Sequence, residues 1–172
     1  MRPAALSVTL LALAFAAGPA LAKSTDRQQP MDLSAANMDA LLSDDSVSTL
    51  EGSVSIRQGS LEVDADRAEV HRKAGEIDRI VLTGSPARLR QVSDQGEPMD
   101  ASAAQVVYTM SSEVMVLTGN VVINQPRGNL RGETVKYDIN TGRLDGGGDG
   151  QRVSMRILPK AAAPAPAPAP TN

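Results

Sequence analysis

The sequence lacks cysteine and tryptophan entirely and contains one histidine among its 172 residues. The absence of cysteine excludes disulfides as a source of stability, and it also excludes the lipidated cysteine of a bacterial lipoprotein. With a single histidine in addition, no zinc site can be assembled from soft ligands.

Aromatic and basic residues are also scarce. The 17 Lys and Arg residues are outnumbered by 20 Asp and Glu residues, which disfavours a nucleic-acid partner because phosphate contacts need a basic face. Phe15 is the one phenylalanine, and the other aromatic residues are Tyr108 and Tyr137. Since large rings usually supply much of a small core, this core must be aliphatic. Such an interior is compatible with an enclosed acyl chain, and equally with a plain packed core.

Both ends of the chain differ in composition from the middle. Met1 and Arg2 are followed by an apolar run over residues 4–17 and by Ala20-Leu21-Ala22, a pattern typical of a cleaved signal peptide. That run is shorter than the roughly 20 residues that span a bilayer. At the other end, alternating Ala and Pro predict an extended, disordered tail. We therefore expect a signal peptide over 1–22, one domain over 23–159 and a tail over 160–172.

The middle of the chain contains an internal repeat. Residues 114–125 place β-branched and aliphatic residues around a Gly-Asn pair, which predicts two strand segments bent or bulged at Gly119. Residues 47–58 show the same pattern 67 positions earlier, so that Gly52 corresponds to Gly119. A shorter copy, Leu-Thr-Gly, occurs at 82–84. We therefore expect the function to depend on the structure that the repeated strands form together.

Apolar and polar residues alternate within these units. Residues 61–65 alternate between apolar and acidic side chains, so one face of this strand is predicted to be buried and the other to be wet. Before Ala87 the alternation of apolar and polar residues shifts by one position, and a bulge at 84–86 would return the apolar residues to the inward face. Because no convincing helical period is present, the pattern predicts an all-β array of short antiparallel strands.

The sequence offers no convincing catalytic group. Glu62, Asp64 and Asp66 share one strand face and would in principle serve as an acid–base pair or a cation site. Nothing shields them from water, so a solvated strand face is the better interpretation. We expect a protein that is not an enzyme and that has no metal site and no cofactor.

Several motifs, in this order and spacing, resemble the LptA/OstA family of periplasmic lipopolysaccharide-transport proteins. These motifs are Leu117-Thr118-Gly119-Asn120-Val121, residues 50–59 followed by Ala65-Asp66, and Gly132-Glu133 leading to Tyr137-Asp138. The similarity extends over about residues 28–158. It implies an open, twisted, all-β jellyroll of about sixteen short antiparallel strands.

The resemblance also implies a function. Members of this family bind the lipid A part of lipopolysaccharide in an apolar groove and move it from the inner to the outer membrane without catalysis. They stack head to tail through edge strands in the periplasm, between LptC at the inner-membrane side and the N-terminal domain of LptD at the outer-membrane side. The alternative is a structural β-solenoid scaffold or adhesin module with a fully packed core and no lipid cargo.

Candidate lipid-binding residues follow from the resemblance and from the alternation. In the family, positions of the first strand and of the central strands contact lipid, and the matching residues are Met31, Leu33, Leu89, Val106 and Met110. The alternation adds seven residues that are predicted to face inward: Val54, Ile56, Val63, Val121, Ile123, Leu130 and Tyr137. Leu89 is aliphatic where relatives carry a ring.

Overall fold

A computed structural model describes residues 26–93, 96–147 and 152–158. The expected signal peptide and the Ala/Pro tail lie outside the described residues. A 3₁₀ turn at Asp26–Gln28 precedes ten strands. The strands are β1 (Asp32–Ser34), β2 (Asn37–Asp39), β3 (Ser46–Gln58), β4 (Leu61–Lys73), β5 (Glu76–Val92), β6 (Pro98–Thr109), β7 (Val114–Gln125), β8 (Gly128–Asp138), β9 (Arg143–Gly146) and β10 (Ser154–Ile157). In these ranges, no helix has the length and the apolar character needed to cross a membrane.

All ten strands belong to one antiparallel sheet. The order across it is β1-β3-β4-β5-β6-β7-β8-β10, with β2 also pairing with β3 and β9 with β8. Two-residue turns join β3 to β4, β4 to β5 and β7 to β8. In the turn between β4 and β5, Ala74 and Gly75 have φ of 51° and 83°. Positive φ at both central residues gives a turn whose twist matches that of the flanking strands. The all-β, antiparallel architecture that the alternation predicts is confirmed.

The register shifts near the middle of every pairing among β3 to β8. On β3 the shift is at Gly52 and Ser53, with φ of 76° and 50°. On β7 it is at Gly119 and Asn120, with φ of 84° and 50°. The repeat in the sequence is therefore a repeat of bulge geometry, and the bulges predicted at Gly119 and at 84–86 are confirmed.

Each long strand contributes to two halves of the sheet, one on either side of its bulge. Half A consists of β2, β9 and the segments 46–51, 67–73, 76–83, 105–109, 114–118 and 134–138. Half B consists of β1, β10 and the segments 54–58, 61–64, 87–92, 98–102, 121–125 and 128–132. Because bulges bend strands and increase their twist, a line of bulges across the sheet folds half A over half B.

The expectation of about sixteen short strands was wrong. The described residues form ten strands, and six of these contain 11 to 17 residues. Ladder pairing continues on both sides of each bulge, so segments that the sequence divides at a glycine form one bent strand. Divided at their bulges, the six long strands would give twelve segments, and the four short strands bring the number to the sixteen that the resemblance implies.

The buried apolar side chains of both halves form a single hydrophobic cluster. It is almost wholly aliphatic, and Tyr108 and Tyr137 are its two aromatic members. The bent sheet therefore has one interior, shared by its two halves, and two edges, one at β1 and β2 and the other at β9 and β10.

Candidate functional site

The candidate site is the apolar interior between the two halves. In half B an inward row of residues begins at Leu33 on β1, includes one residue of every strand and ends at Met155 on β10. The six residues between these two are apolar and at most 6% exposed. In half A a similar row runs from Ser48 on β3 to Leu144 on β9 through five buried apolar residues. The interior is thus apolar from one edge of the sheet to the other.

Side-chain size in half B increases with distance from the bulges. The inward residues next to the bulges include Val54, Ala87 and Val121. The next inward residues on the same strands, farther from the bulges, are Ile56, Leu89 and Ile123. Small side chains at the bend allow the two halves to meet there, and larger ones fill the wider space beyond it.

The twelve candidate residues all lie in or against the interior cluster. Nine of them are buried in it: Val54, Ile56, Val63, Leu89, Val106, Val121, Ile123, Leu130 and Tyr137. Met31, Leu33 and Met110 are half-buried and pack against it. Val106 and Tyr137 belong to half A, whereas most of the others belong to half B. The structure brings all twelve together, and lipid contact at these residues stays a prediction.

Most of the inward residues of half A were not predicted from the sequence. Leu50, Leu82, Leu117 and Val135 occupy one inward row there and are each at most 2% exposed. Leu50 and Val135 lie between polar residues, and this alternation was a signal that would have found them. Leu82 and Leu117 each follow a valine, so alternation gave no such signal there. Gln91 was also missed, and its polar side chain gave no signal that it lies at an inward position.

A buried hydrogen bond links the two halves. The Tyr137 hydroxyl of β8 in half A donates to Oε1 of Gln91 of β5 in half B, at 3.2 Å. Burial, and to a lesser extent the neighbouring Asp138 carboxylate, raises the pKa of Tyr137 above its ordinary value. The hydroxyl therefore stays protonated at neutral pH and available as a donor.

A cavity of about 210 Å³ lies at the C-terminal edge of the sheet. Ile123, Leu130 and Met155 of half B line it, together with Leu144 of half A and Arg127 from the turn between β7 and β8. The inward row of half B thus ends in a largely apolar space that has two arginines, Arg127 and Arg156, among its lining residues.

The carboxylates on the outer face do not form a chemical centre. Glu62 pairs with Arg57 at 2.7 Å, as expected for a solvated strand face. In the described part of the chain, no group of three or more histidine or carboxylate side chains is placed to hold a metal ion.

Known proteins are similar in sequence to this chain. Residues 33–143 match the family model described as LptA/(LptD N-terminal domain) LPS transport protein. The lipopolysaccharide export system protein LptA of Escherichia coli (strain K12) is 30% identical over 157 residues, 90% of this chain and 83% of that protein. LptA of Haemophilus influenzae is 29% identical over 154 residues, 87% of this chain and 89% of that protein.

A solved structure has the same fold. The crystal structure of LptH, described as the LptA homologous periplasmic component of the lipopolysaccharide transport device of Pseudomonas aeruginosa, matches with a TM-score of 0.70 and 21% identity. The match covers 78% of this chain and 99% of that one. The open, twisted β-jellyroll predicted for this chain is therefore confirmed.

Proposed function

Because this chain belongs to the LptA/LptD N-terminal domain family of lipopolysaccharide transport proteins, we propose that it is a non-enzymatic periplasmic carrier of lipopolysaccharide. It binds the lipid A part in the interior between half A and half B. It moves its cargo from the inner towards the outer membrane as part of a protein bridge. The relatives' names as transport proteins support a role without catalysis.

The continuity of the apolar interior is the observation that carries this proposal. Inward rows extend from β1 to β10 in half B and from β3 to β9 in half A with no charged side chain in them. An acyl chain laid along these rows leaves water, which contributes about 0.8 kcal/mol for each buried CH₂ group. The cavity at the C-terminal edge continues this path to the end of the sheet.

The interior opens when lipid enters. In the present structure the inward side chains contact one another, so an acyl chain gains access only if half A and half B move apart. The exchange costs little, because apolar side chains that lose contact with each other regain it with the acyl chain. The Tyr137–Gln91 hydrogen bond must break in that movement.

The edges of the sheet are the proposed contact surfaces for partners. Apolar side chains stand exposed at both edges: Met38 is 54% exposed on β2, and Met155 and Ile157 are 60% and 74% exposed on β10. Exposed strand edges invite the addition of another strand. LptC at the inner-membrane side, the N-terminal domain of LptD at the outer-membrane side and further copies of this chain are the proposed partners.

Photo-crosslinking in cells tests lipid binding in the interior. A photoreactive amino acid at Ile123 should capture lipopolysaccharide, and one at Val122, which is the next residue on β7 but faces outward, should not. Circular dichroism of both variants checks that the fold is kept. Equal capture at the two positions, or capture at Val122 alone, would contradict an interior lipid site.

The second candidate function is that of a structural scaffold without lipid cargo. The close packing of the interior favours it, since the cluster residues are at most 8% exposed. Purified, delipidated protein distinguishes the two. A carrier binds added lipopolysaccharide, and its depletion from cells impairs outer-membrane assembly, whereas a packed scaffold shows neither effect.

A further inference from the structure

One outward row of half B alternates in charge from strand to strand. It begins at the β1 edge of the sheet and ends at the β10 edge. Its charged members, in order across the sheet, are Asp32, Arg57, Glu62, Arg90, Asp100 and Arg156, with asparagine at the β7 and β8 positions. Arg57 and Glu62 form an ion pair at 2.7 Å, and Arg90 and Asp100 form one at 3.4 Å.

The two ends of this row carry opposite charges. Across the ranges that the structure describes, neither Asp32 nor Arg156 takes part in an ion pair. Each lies on a strand with a sheet neighbour on one side only, since β1 and β10 are the ends of the strand order. An acidic edge and a basic edge on the same chain are complementary to a second copy of that chain.

Strand direction and hydrogen bonding allow the row to continue from one copy to the next. In an antiparallel sheet, opposite residues along a row form hydrogen-bonded and non-hydrogen-bonded pairs in alternation from one strand pairing to the next. Half B has eight strands, so the pairings of β1 with β3 and of β8 with β10 are of the same type. An added pairing of β10 with β1 of the next copy is then antiparallel. Its hydrogen-bonding type differs from that of the β8–β10 pairing in one copy and of the β1–β3 pairing in the next, as the alternation requires.

The same register continues the apolar interior. When Arg156 lies opposite Asp32, Met155 lies opposite Leu33, and these are the two ends of the inward row of half B. Met155, which is 60% exposed in the single chain, gains an apolar neighbour. A shift by one residue would instead place Met155 opposite Asp32 or Ser34, which belong to the outer face.

The edges of half A are not complementary in this way. Asp39 on β2 and Asp145 on β9 lie in one row, connected through every strand of half A. A junction that continues this row would place the two carboxylates opposite each other, and like charges opposite each other destabilise strand pairing.

Resting on the head-to-tail association proposed above, we infer that β10 of one copy adds antiparallel to β1 of the next in a single register, with Arg156 opposite Asp32, Met155 opposite Leu33 and Ser154 opposite Ser34. The edges of half B alone form this junction, and the edges of half A stay apart.

Disulfide trapping tests the register, because the chain has no cysteine of its own. A chain carrying Ser34→Cys is mixed with a chain carrying Ser154→Cys and oxidised, and the heterodimer is measured on a non-reducing gel. Ser34→Cys with Arg152→Cys is the matched control, since these residues face each other only if the junction shifts by two residues. The 34–154 pair should crosslink several times faster than the control pair.

Charge reversal tests the role of the end charges. Asp32→Arg or Arg156→Asp alone should raise the dissociation constant of the oligomer roughly fivefold at low salt, and the double variant should restore it. Analytical ultracentrifugation provides the constants, and circular dichroism checks the fold of each variant.

The outcomes separate the register from the association itself. The inferred register alone is overturned if the wild-type chain forms oligomers but the 34–152 cysteine pair crosslinks as fast as the 34–154 pair. It is also overturned if the double charge variant associates as weakly as the single ones. A wild-type chain that stays monomeric at high concentration overturns head-to-tail association and the register with it, while crosslinking of lipopolysaccharide at Ile123 tests the carrier function independently.

Discussion

At the scale of single residues, Tyr137 and Gln91 form a polar contact within an otherwise apolar interior. Gln91 is 5% exposed and occupies an inward position on β5, so its amide oxygen depends on the Tyr137 hydroxyl for a partner. A buried polar group left without a partner costs about 1–3 kcal/mol. The pair therefore holds half A and half B in the closed arrangement and makes that arrangement specific.

We predict that Tyr137→Phe lowers the free energy of unfolding by about 1–3 kcal/mol, because the Gln91 amide then remains buried without its donor. Urea denaturation followed by circular dichroism measures the change. Adding Gln91→Met to this variant removes the polar group as well, and should recover part of the loss. If the double variant is no more stable than the single one, the hydrogen bond is not the cause.

The same variant should change how stability depends on pH. Burial raises the pKa of Tyr137 in the folded chain above that in the unfolded chain, which is near ~10. The folded state therefore binds the hydroxyl proton more tightly than the unfolded state does. The resulting contribution to the free energy of unfolding is complete below the unfolded pKa and is lost as the pH rises through the folded pKa. Unfolding free energies above pH ~10 should fall more steeply for the wild type than for Tyr137→Phe.

At the scale of elements, the bulges decide how the strands are used. Gly119 has a φ of 84°, and a side-chain carbon added there would lie 2.7 Å from Cβ of Ala104 on β6. The bulge of β7 thus needs glycine both for its backbone angle and for the close approach of a neighbouring strand. The same geometry at Gly52 and Ser53 bends β3 at the same level of the sheet.

We predict that Gly119→Ala destabilises the fold by about 2–4 kcal/mol, from the strain of a positive φ together with the clash against Ala104. Gly142→Ala is the matched control, since Gly142 has a φ of 68° but no atom within 4 Å of the added carbon. The control should lose only the strain part, about 1 kcal/mol. Thermal unfolding of both variants measures the difference, and equal losses would show that contact with Ala104 is unimportant.

At the scale of the whole molecule, the sheet is open and its two halves have different edges. The half B edges carry complementary charges at Asp32 and Arg156, whereas the half A edges carry Asp39 and Asp145 in one row. An assembly joined through half B alone leaves a gap between successive half A edges. Such a gap would let the two halves of each copy move apart without breaking the chain of copies.

We predict that Asp39→Lys strengthens oligomers, because it replaces the repulsion between Asp39 and Asp145 of the preceding copy with an attraction across the gap. The dissociation constant should fall roughly two- to fivefold at low salt, and the effect should shrink as salt screens the charges. Asp66→Lys, the same charge change at an exposed position in the bulge of β4, is the control and should leave the constant unchanged. Sedimentation that is unaffected by Asp39→Lys would contradict like-charge repulsion between the half A edges.

The sequence by itself determined the class of the fold and the faces of its strands. The alternation of side chains has the period of a strand, so it identified inward residues such as Val63 and Ile123 without knowledge of their partners. The bulge at Gly119 was also readable, because the Gly-Asn pair within an apolar strand run is a local signal. Motif order and spacing were sufficient to indicate the family.

Only the tertiary structure decided what those faces meet. The Tyr137–Gln91 pair joins residues 46 positions apart, and the row from Asp32 to Arg156 depends on seven successive strand registers. Five of these registers are shifted by a bulge, and the other two pair strands that are not consecutive in the chain, so a local pattern cannot specify which residues share a row. For the same reason the count of sixteen strands was wrong, since ladder pairing across each bulge, which is a contact between strands, makes two segments one strand.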